Sequence, residues 1–384
     1  MVKYRRLLHR KPELSFFEYE TTRFITEKLT GLGYEIHTPL ATGCIAVMEG
    51  EISSTRVIAL RADIDALPIL EEGDAKTDFI SGNPGVAHCC GHDLHTANLL
   101  GAATILAANR DFIAGRVVLI FQPGEEKLPG GAKLIVESGI LDKLGVQEIY
   151  GLHSDPNFDP ETIGIRPGRL MAKPDEFSVT IKGKGGHAAS PHKCVDPVVI
   201  LSHIVMQLQT IISRNLNPAE SAVITVGKIE AGTAHNIIPS EGKLFGTVRT
   251  FTKETSDVIR KRIGEIARHT AKSYGADAGF DYENGYPAVF NDAALTNKVI
   301  RTARLLKGSG CVKMMPEPYM AGEDFAYYLQ KFSGAFFFLG TGSQSADSRY
   351  SWHHPRYNVD EKSMITGSAL LSLLVLSKES NGTE

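Results

Sequence analysis

The sequence predicts a two-domain α/β protein, and two observations carry that prediction. Short β-rich runs alternate with helical runs through residues 1–155, the pattern of a sheet covered by helices on both faces. From about Ala172 the texture changes to β-α-β-β-α-β, the order of a small ferredoxin-like α+β sandwich. The larger domain is therefore placed at residues 1–171 and 285–384, with an inserted domain at 172–284.

Each element has a local reason. Ser15-Phe16-Phe17-Glu18 has capping-box spacing, and Phe17, Phe24, Ile25, Leu29 and Leu32 recur at helical intervals until Gly33, so the first helix is expected there. Ile45–Met48, Arg56–Leu60, Arg116–Phe121 and Glu148–Leu152 are rich in β-branched or aromatic residues and read as strands. Helical stretches fall at Thr96–Ala108 and Gly131–Ser138. In the insert, Phe177, Val179 and Ile181 alternate as a half-buried strand. Val195–Ser213 and Glu254–Tyr274 read as helices, and Ala222–Ile229, Leu244–Thr250 and a run near Phe280 as strands. Helices at Asn291–Leu306 and Asp360–Ser377, and a strand at Gly334–Gly340, complete the larger domain.

A net charge of -3 gives no electrostatic reason to expect nucleic acid or an anionic membrane as partner. The chain has no apolar run near the roughly 20 residues that span a bilayer, and its start lacks the apolar core of a secretory signal. A cytoplasmic location is expected. The five cysteines are an odd number, scattered apart from Cys89-Cys90, which suits reduced thiols. Cys44, Cys194 and Cys311 read as ordinary small packing residues.

The chemistry concentrates in His88-Cys89-Cys90-Gly91-His92-Asp93-Leu94-His95 and in Gln122-Pro123-Gly124-Glu125-Glu126. Cys90 and His92 stand two apart in a glycine-containing loop, so thiolate and imidazole can reach one point. With Glu126, His153 and His353, the mixed N, O and S ligands suffice for two metal ions with room for water. If the Glu125-Glu126 loop is extended, one carboxylate can ligate metal while the other faces substrate. Asp63 and Asp65, Glu125 and Glu126, and His153 each follow a predicted strand, and ligands of open α/β sheets sit at the carboxyl ends of strands. Asp93 and Asp65 are candidates for fixing an imidazole tautomer. His88 and His95 are given supporting roles, whereas His9, His37, His203 and His269 read as ordinary surface or core residues.

The chain resembles the M20 family of metallopeptidases and amidohydrolases, in the branch of N-acyl-amino-acid, hippurate and auxin-conjugate hydrolases. The matching segments run in the family's order from His9-Arg10-Lys11-Pro12-Glu13-Leu14-Ser15 through Leu60-Arg61-Ala62-Asp63-Ile64-Asp65, Cys90-Gly91-His92-Asp93 and Gly124-Glu125-Glu126. They continue through Gly185-Gly186-His187, Ala234-His235-Asn236, Gly246-Thr247-Val248-Arg249 and Gly322-Glu323-Asp324-Phe325 to His353-His354-Pro355. The resemblance implies a mixed-sheet, zinc-peptidase-like catalytic domain with an inserted lid and dimerisation domain. It implies Cys90, His92, Glu126, His153 and His353 as ligands of two divalent ions, Zn²⁺ or Mn²⁺ with Co²⁺ or Ni²⁺ as alternatives. Glu125 becomes the general base, with Asp65 and His187 completing the catalytic set and His187, Asn236 and Arg249 binding substrate. The implied reaction is hydrolysis of N-acyl-L-amino acids by a metal-activated water, in a homodimer acting on a small molecule, with neither nucleic acid nor membrane as partner. Leu94, Lys127-Leu128-Pro129 and Ser154-Asp155 depart from the family pattern near the pocket, and Asp63-x-Asp65 replaces the broader family's His-x-Asp.

Three other readings stay open at this level: a dipeptidase of the same family, a non-catalytic small-molecule binding protein, and a redox role for Cys89-Cys90. A retained Glu125 counts against the second, because a binding protein needs no base.

Overall fold

A computed structural model describes residues 1–376. The chain divides into two compact units: Met1–Leu170 with Val289–Pro318 and the residues from Asp324 onward, and Met171–Ala288 with Tyr319–Glu323.

The first unit is built on a mixed sheet of eight strands, in the order Glu35–His37, Cys44–Glu49, Ala114–Gln122, Ile52–Asp63, Glu148–Asp155, Ser333–Gly340, Ile163–Ile165, Val312–Met314. Four adjacent strands at its centre, from Ala114–Gln122 to Ser333–Gly340, run parallel, and they read as near-continuous apolar runs because both faces are covered. Residues Val57–Asp63 and Val117–Gln122 are buried throughout. Register matters more than length here. Asp63 stands opposite Gln122, Arg61 opposite Gly151, and Phe338 opposite His153. The carboxyl ends of the parallel strands therefore finish on one level, and the loops leaving them begin side by side.

Helix His92–Ala108 is buried on all sides over most of its length, as expected of a helix packed within a two-layer core. It starts four residues before the expected Thr96. Gly91 adopts φ 91, and a Cβ there would lie 2.3 Å from Ser154 Oγ and 2.9 Å from Tyr357 Oη. Only glycine lets the chain turn into the helix at that spot, so His92 and His95 become neighbours on its first turn rather than loop residues. The closing helix runs Ser363–Leu376, and the expected end at Ser377 lies outside the described residues.

Two amino-terminal expectations need correction. A helix at Val2–Arg10 precedes the first expected one, and the latter begins at Tyr19 with no side-chain cap. The capping box does not form because Ser15 Oγ donates to Asp65 and the Glu18 carboxylate accepts from Phe16 N and Gly124 N. Tertiary partners outcompete the local cap.

The second unit carries an antiparallel sheet in the order Val223–Ala231, Glu241–Thr250, Lys173–Lys182, Asp277–Asn284, with helices Pro197–Asn215 and Lys253–Ser273. In strand sequence this is 2-3-1-4, the ferredoxin-like arrangement. Ile200, Ile204, Leu208, Ile259 and Ile263 are fully buried in its core with Val179, Ile181 and Leu244. This unit extends beyond the expected 172–284, reaching Ala288 and recruiting Tyr319–Glu323. Ala172 N donates to the carbonyls of Tyr319 and Ala321 at 2.9 and 3.0 Å, which holds that distant segment against the start of the insert.

Candidate metal centre

Three strand ends and two loops of the first unit deliver its chemistry-bearing side chains to one place. Cys90, His92 and His153 bring ligand atoms within 4.8 Å of one another, as do Cys90, Glu126 and His353, and His92, Glu125 and Glu126. All five expected ligands and Glu125 thus fall in overlapping groups. His153 is inside the Glu148–Asp155 strand rather than just after it. Both glutamates approach His92, so the loop does not send them to opposite sides.

Each imidazole is held by one nitrogen. His92 Nδ1 lies 3.1 Å from Asp65 Oδ1, and His153 Nδ1 donates to the carbonyl of Ser154 at 2.8 Å. Both rings are thereby held with the proton on Nδ1 and with Nε2 as the atom that faces the site. His153 Nε2 faces Cys90 Sγ at 3.3 Å. His92 Nε2 and Glu126 Oε1 are buried and have no hydrogen-bond partner among the described residues, although His353 Nε2 is only 3.1 Å from that oxygen. Buried polar atoms without hydrogen bonds are costly, and two of them converging with a thiol and two more imidazoles fit a cation. The site opens on one side, where the His353 side chain is 54% exposed. His353 itself sits at φ 64, an uncommon conformation for a residue other than glycine, fixed by its N–H donating to Cys89 O at 2.8 Å.

Electrostatics point the same way. Burial, then Glu126 and Glu125, push the Cys90 thiol well above its ordinary range, so a thiolate there needs a compensating positive charge. Burial opposes charge on His92, yet Asp63, Asp65 and Glu126 outweigh it and hold its pKa at about 10. Burial and His95 keep His153 well below its usual value. The pocket is a negative field that stabilises positive charge beside His92 Nε2, which suits divalent ions with mixed ligands.

Behind the site lies a buried network that the sequence reading largely missed. Arg61 donates to Gln122, Asp63 and Asp324 at 2.9, 2.7 and 2.8 Å, and Gln122 donates to both oxygens of Asp324. Asp324 N in turn lies 3.4 Å from Glu125 Oε1, so this network reaches Glu125. Asp63 is occupied by Arg61 and by His95 Nδ1 at 2.6 Å. His95 Nε2 accepts from Ser154 N at 2.8 Å. His95 is thus committed internally, in the supporting position expected for it. Ser154 Oγ also meets Tyr357 Oη at 2.8 Å, and Trp352 Nε1 donates to Ser154 O at 2.7 Å. Trp352 stands edge-on to His153, with ring centroids 5.1 Å apart. The only sequence signal for these roles was adjacency to the motifs: Arg61 two before Asp63, Gln122 ahead of the glutamates, and Ser154 after His153.

Asp93 is a correction. Its carboxylate turns away from His92 and takes Arg5 Nε at 3.0 Å and His9 Nδ1 at 2.8 Å, because Asp65 already occupies the Nδ1 side of His92. His9 is likewise no ordinary residue: it is 1% exposed and bridges Asp93 and Glu71. His88 is buried with neither ring nitrogen hydrogen-bonded among the described residues, and burial pulls its pKa down to about 4.

His187, Asn236 and Arg249 belong to the second unit. His187 is exposed and pairs with Ile237 in a two-stranded ladder, next to Asn236, whose carbonyl accepts from Ala188 N at 3.1 Å. Ala189 N donates to His187 Nδ1 at 3.0 Å, which leaves the ring proton on Nε2. Arg249 lies on the Glu241–Thr250 strand and donates through Nε to Met320 O and through Nη1 to Val248 O, both at 3.1 Å.

Residues 59–377 match the model of peptidase family M20/M25/M40. The chain belongs to that family. An N-acetyl-L-cysteine deacetylase of Bacillus subtilis is 43% identical over 372 residues, covering 97% of this chain and 86% of the relative. A second relative from the same organism, an N-acetylcysteine deacetylase, is 40% identical over 381 residues, covering 98% and 97%. The crystal structure of Bacillus subtilis YxeP, described as a dinuclear metal-binding peptidase of family M20, superposes with a TM-score of 0.83 at 37% identity, covering 98% of this chain and 96% of that one. This M20 chain is accordingly a hydrolase of the metallopeptidase and amidohydrolase family, with the mixed-sheet fold and separate antiparallel sheet of its relatives. Among the described residues, no helix of the M20 chain is long and apolar enough to cross a membrane.

Proposed function

We propose that the protein hydrolyses the amide bond of N-acyl-L-amino acids, releasing a carboxylate and a free amino acid. The observation that carries this is the pairing of Glu125 with a five-ligand pocket whose buried His92 Nε2 and Glu126 Oε1 are left without hydrogen bonds. Cys90, His92, Glu126, His153 and His353 hold two divalent ions in this reading. When bound, such ions lower the pKa of water towards about 7 and polarise a carbonyl oxygen. Glu125 takes the proton from the attacking water and returns it to the departing amine. Asp324 N and the network behind it orient the Glu125 carboxylate, while Asp65 fixes the His92 tautomer. His187, with its proton on Nε2, is a donor for the developing oxyanion, reaching an active site across the dimer. Arg249 has no hydrogen bond on Nη2 among the described residues, and with Asn236 it binds the carboxylate of the amino acid.

The deacetylase activity named for the two relatives supports the N-acyl class. The description of YxeP as a peptidase supports the one competing reading, a dipeptidase. Metal-stripped protein resupplied in turn with Zn²⁺, Mn²⁺, Co²⁺ or Ni²⁺ and offered N-acetyl, N-benzoyl and free dipeptide substrates decides between them. Metal-dependent release of amino acid from the acylated substrates is expected, whereas cleavage of dipeptides alone would move the assignment to a peptidase.

The second unit serves as lid and dimerisation domain in this reading. Its Val223–Ala231 strand is a sheet edge, and Val198, Val199 and Met206 are exposed on helix Pro197–Asn215, features that favour pairing between copies. Sedimentation velocity is expected to give a dimer, and a monomer at micromolar concentration would refute that part.

A further inference from the structure

The residues that fail to cap the Tyr19–Gly31 helix have a different employment. The Glu18 carboxylate is fully buried. Its Oε1 accepts from Phe16 N at 2.9 Å and from Gly124 N at 2.8 Å, and its Oε2 accepts from Thr42 Oγ1 at 2.7 Å. Gly124 immediately precedes Glu125 and Glu126 and turns at φ 60. A Cβ on Gly124 would stand 2.4 Å from the Phe16 ring, and Phe16 itself is held at φ 68. Three residues earlier in the chain than Glu18, Ser15 Oγ donates at 2.7 Å to Asp65 Oδ2, the same oxygen that accepts from Glu126 N at 3.0 Å. One short segment therefore holds the glutamate loop directly at Gly124 N and, through Asp65, at Glu126 N.

We infer that Glu18 is a positioning residue for the reaction, setting through Gly124 N the turn that aims the Glu125 and Glu126 carboxylates. It touches neither substrate nor metal ligand and acts only through the backbone it holds. The inference rests on the proposed roles of Glu125 and Glu126. Desolvation of a carboxylate this deep is unfavourable, and all three of its donors are turned toward it, two of them from unusual backbone conformations. A residue whose purpose was to start a helix would instead bond the helix's own first N–H groups, and this one does not. Burial and the nearby Asp65 charge push the Glu18 carboxyl up to about 7, so a neutral amide of the same shape is tolerated where a shorter side chain is not.

The test uses the full-length protein, stripped and reloaded with Co²⁺, as wild type and as Glu18→Ala, Glu18→Asp and Glu18→Gln. A displacement of reacting groups by about 1 Å costs on the order of 10²-fold in rate. Glu18→Ala and Glu18→Asp are expected to lose about that factor in kcat per folded molecule while KM changes by less than about threefold. The visible absorption of bound Co²⁺ is expected to shift, since Glu126 moves, and Glu18→Gln is expected to restore both readouts. A merely structural role would lower the melting temperature and leave the Co²⁺ spectrum and kcat per folded molecule at wild-type values, and that result overturns the inference. Should Glu18→Ala fail to fold, Glu18→Asp and Thr42→Val carry the same comparison. Wild-type protein that binds no Co²⁺ overturns the reading of the centre, and the Glu18 role with it. Normal Co²⁺ binding by the wild type, with unaltered variants, overturns the Glu18 role alone.

Discussion

Glu125→Gln is expected to lower kcat by about 10²- to 10⁴-fold, the usual worth of a positioned general base, with metal content and fold unchanged. The amide keeps the shape of the carboxylate and an oxygen for the contact from Asp324 N, 3.4 Å away in the native chain. It cannot accept a proton at neutral pH. Steady-state kinetics on an N-acyl amino acid, paired with metal analysis of the same sample, separates this from trivial loss of the ions. A fully active variant would remove Glu125 from the mechanism, and a variant that lost its metal would make Glu125 a ligand instead.

Exhaustive chelation is expected to abolish turnover altogether, and resupply of a divalent ion to restore it. The reason lies in the pocket's chemistry: its burial and negative charge favour a bound cation and disfavour a free Cys90 thiolate. Asp65→Ala tests the support behind the ligands. It deletes the carboxylate that fixes His92 Nδ1 and that also receives Ser15 Oγ and Glu126 N. Loss of such an outer partner typically weakens metal affinity by 10- to 100-fold, so the Asp65→Ala midpoint in a metal titration of stripped protein should rise by about that factor. Activity that survives complete metal removal would end the metallohydrolase reading.

Much of this was legible before any coordinates. The apolar runs Arg56–Leu60, Arg116–Phe121 and Glu148–Leu152 were strands, and the rule that ligands gather at the carboxyl ends of parallel strands brought their neighbours together. Register does the rest, because Asp63 opposite Gln122 and His153 opposite Phe338 leave the loops no freedom to begin elsewhere. The insert was readable for a similar reason: its strands alternate and its helices carry long apolar stripes. What was not legible depends on partners far apart in sequence. Capping-box spacing at Ser15 and Glu18 is a local signal, whereas the hydrogen bonds that win join Ser15 to Asp65 and Glu18 to Gly124, and no periodicity encodes such pairs. Asp93 looked like the partner of an adjacent histidine. Adjacent residues on a helix face apart, and the imidazole it holds belongs to His9, 84 positions away. The Arg61–Gln122–Asp324 network has the same character, spanning up to 263 positions.

Trp352 gives the molecule an optical property of its own. It is the chain's one tryptophan, it precedes His353, and its indole stands edge-on to His153 while sharing with that ring the carbonyl of Ser154. The whole ultraviolet emission of indole in this protein therefore originates beside the metal pocket. Paramagnetic ions such as Co²⁺ or Ni²⁺ quench a nearby indole, so occupancy becomes readable as light from unlabelled protein, without a substrate and without turnover.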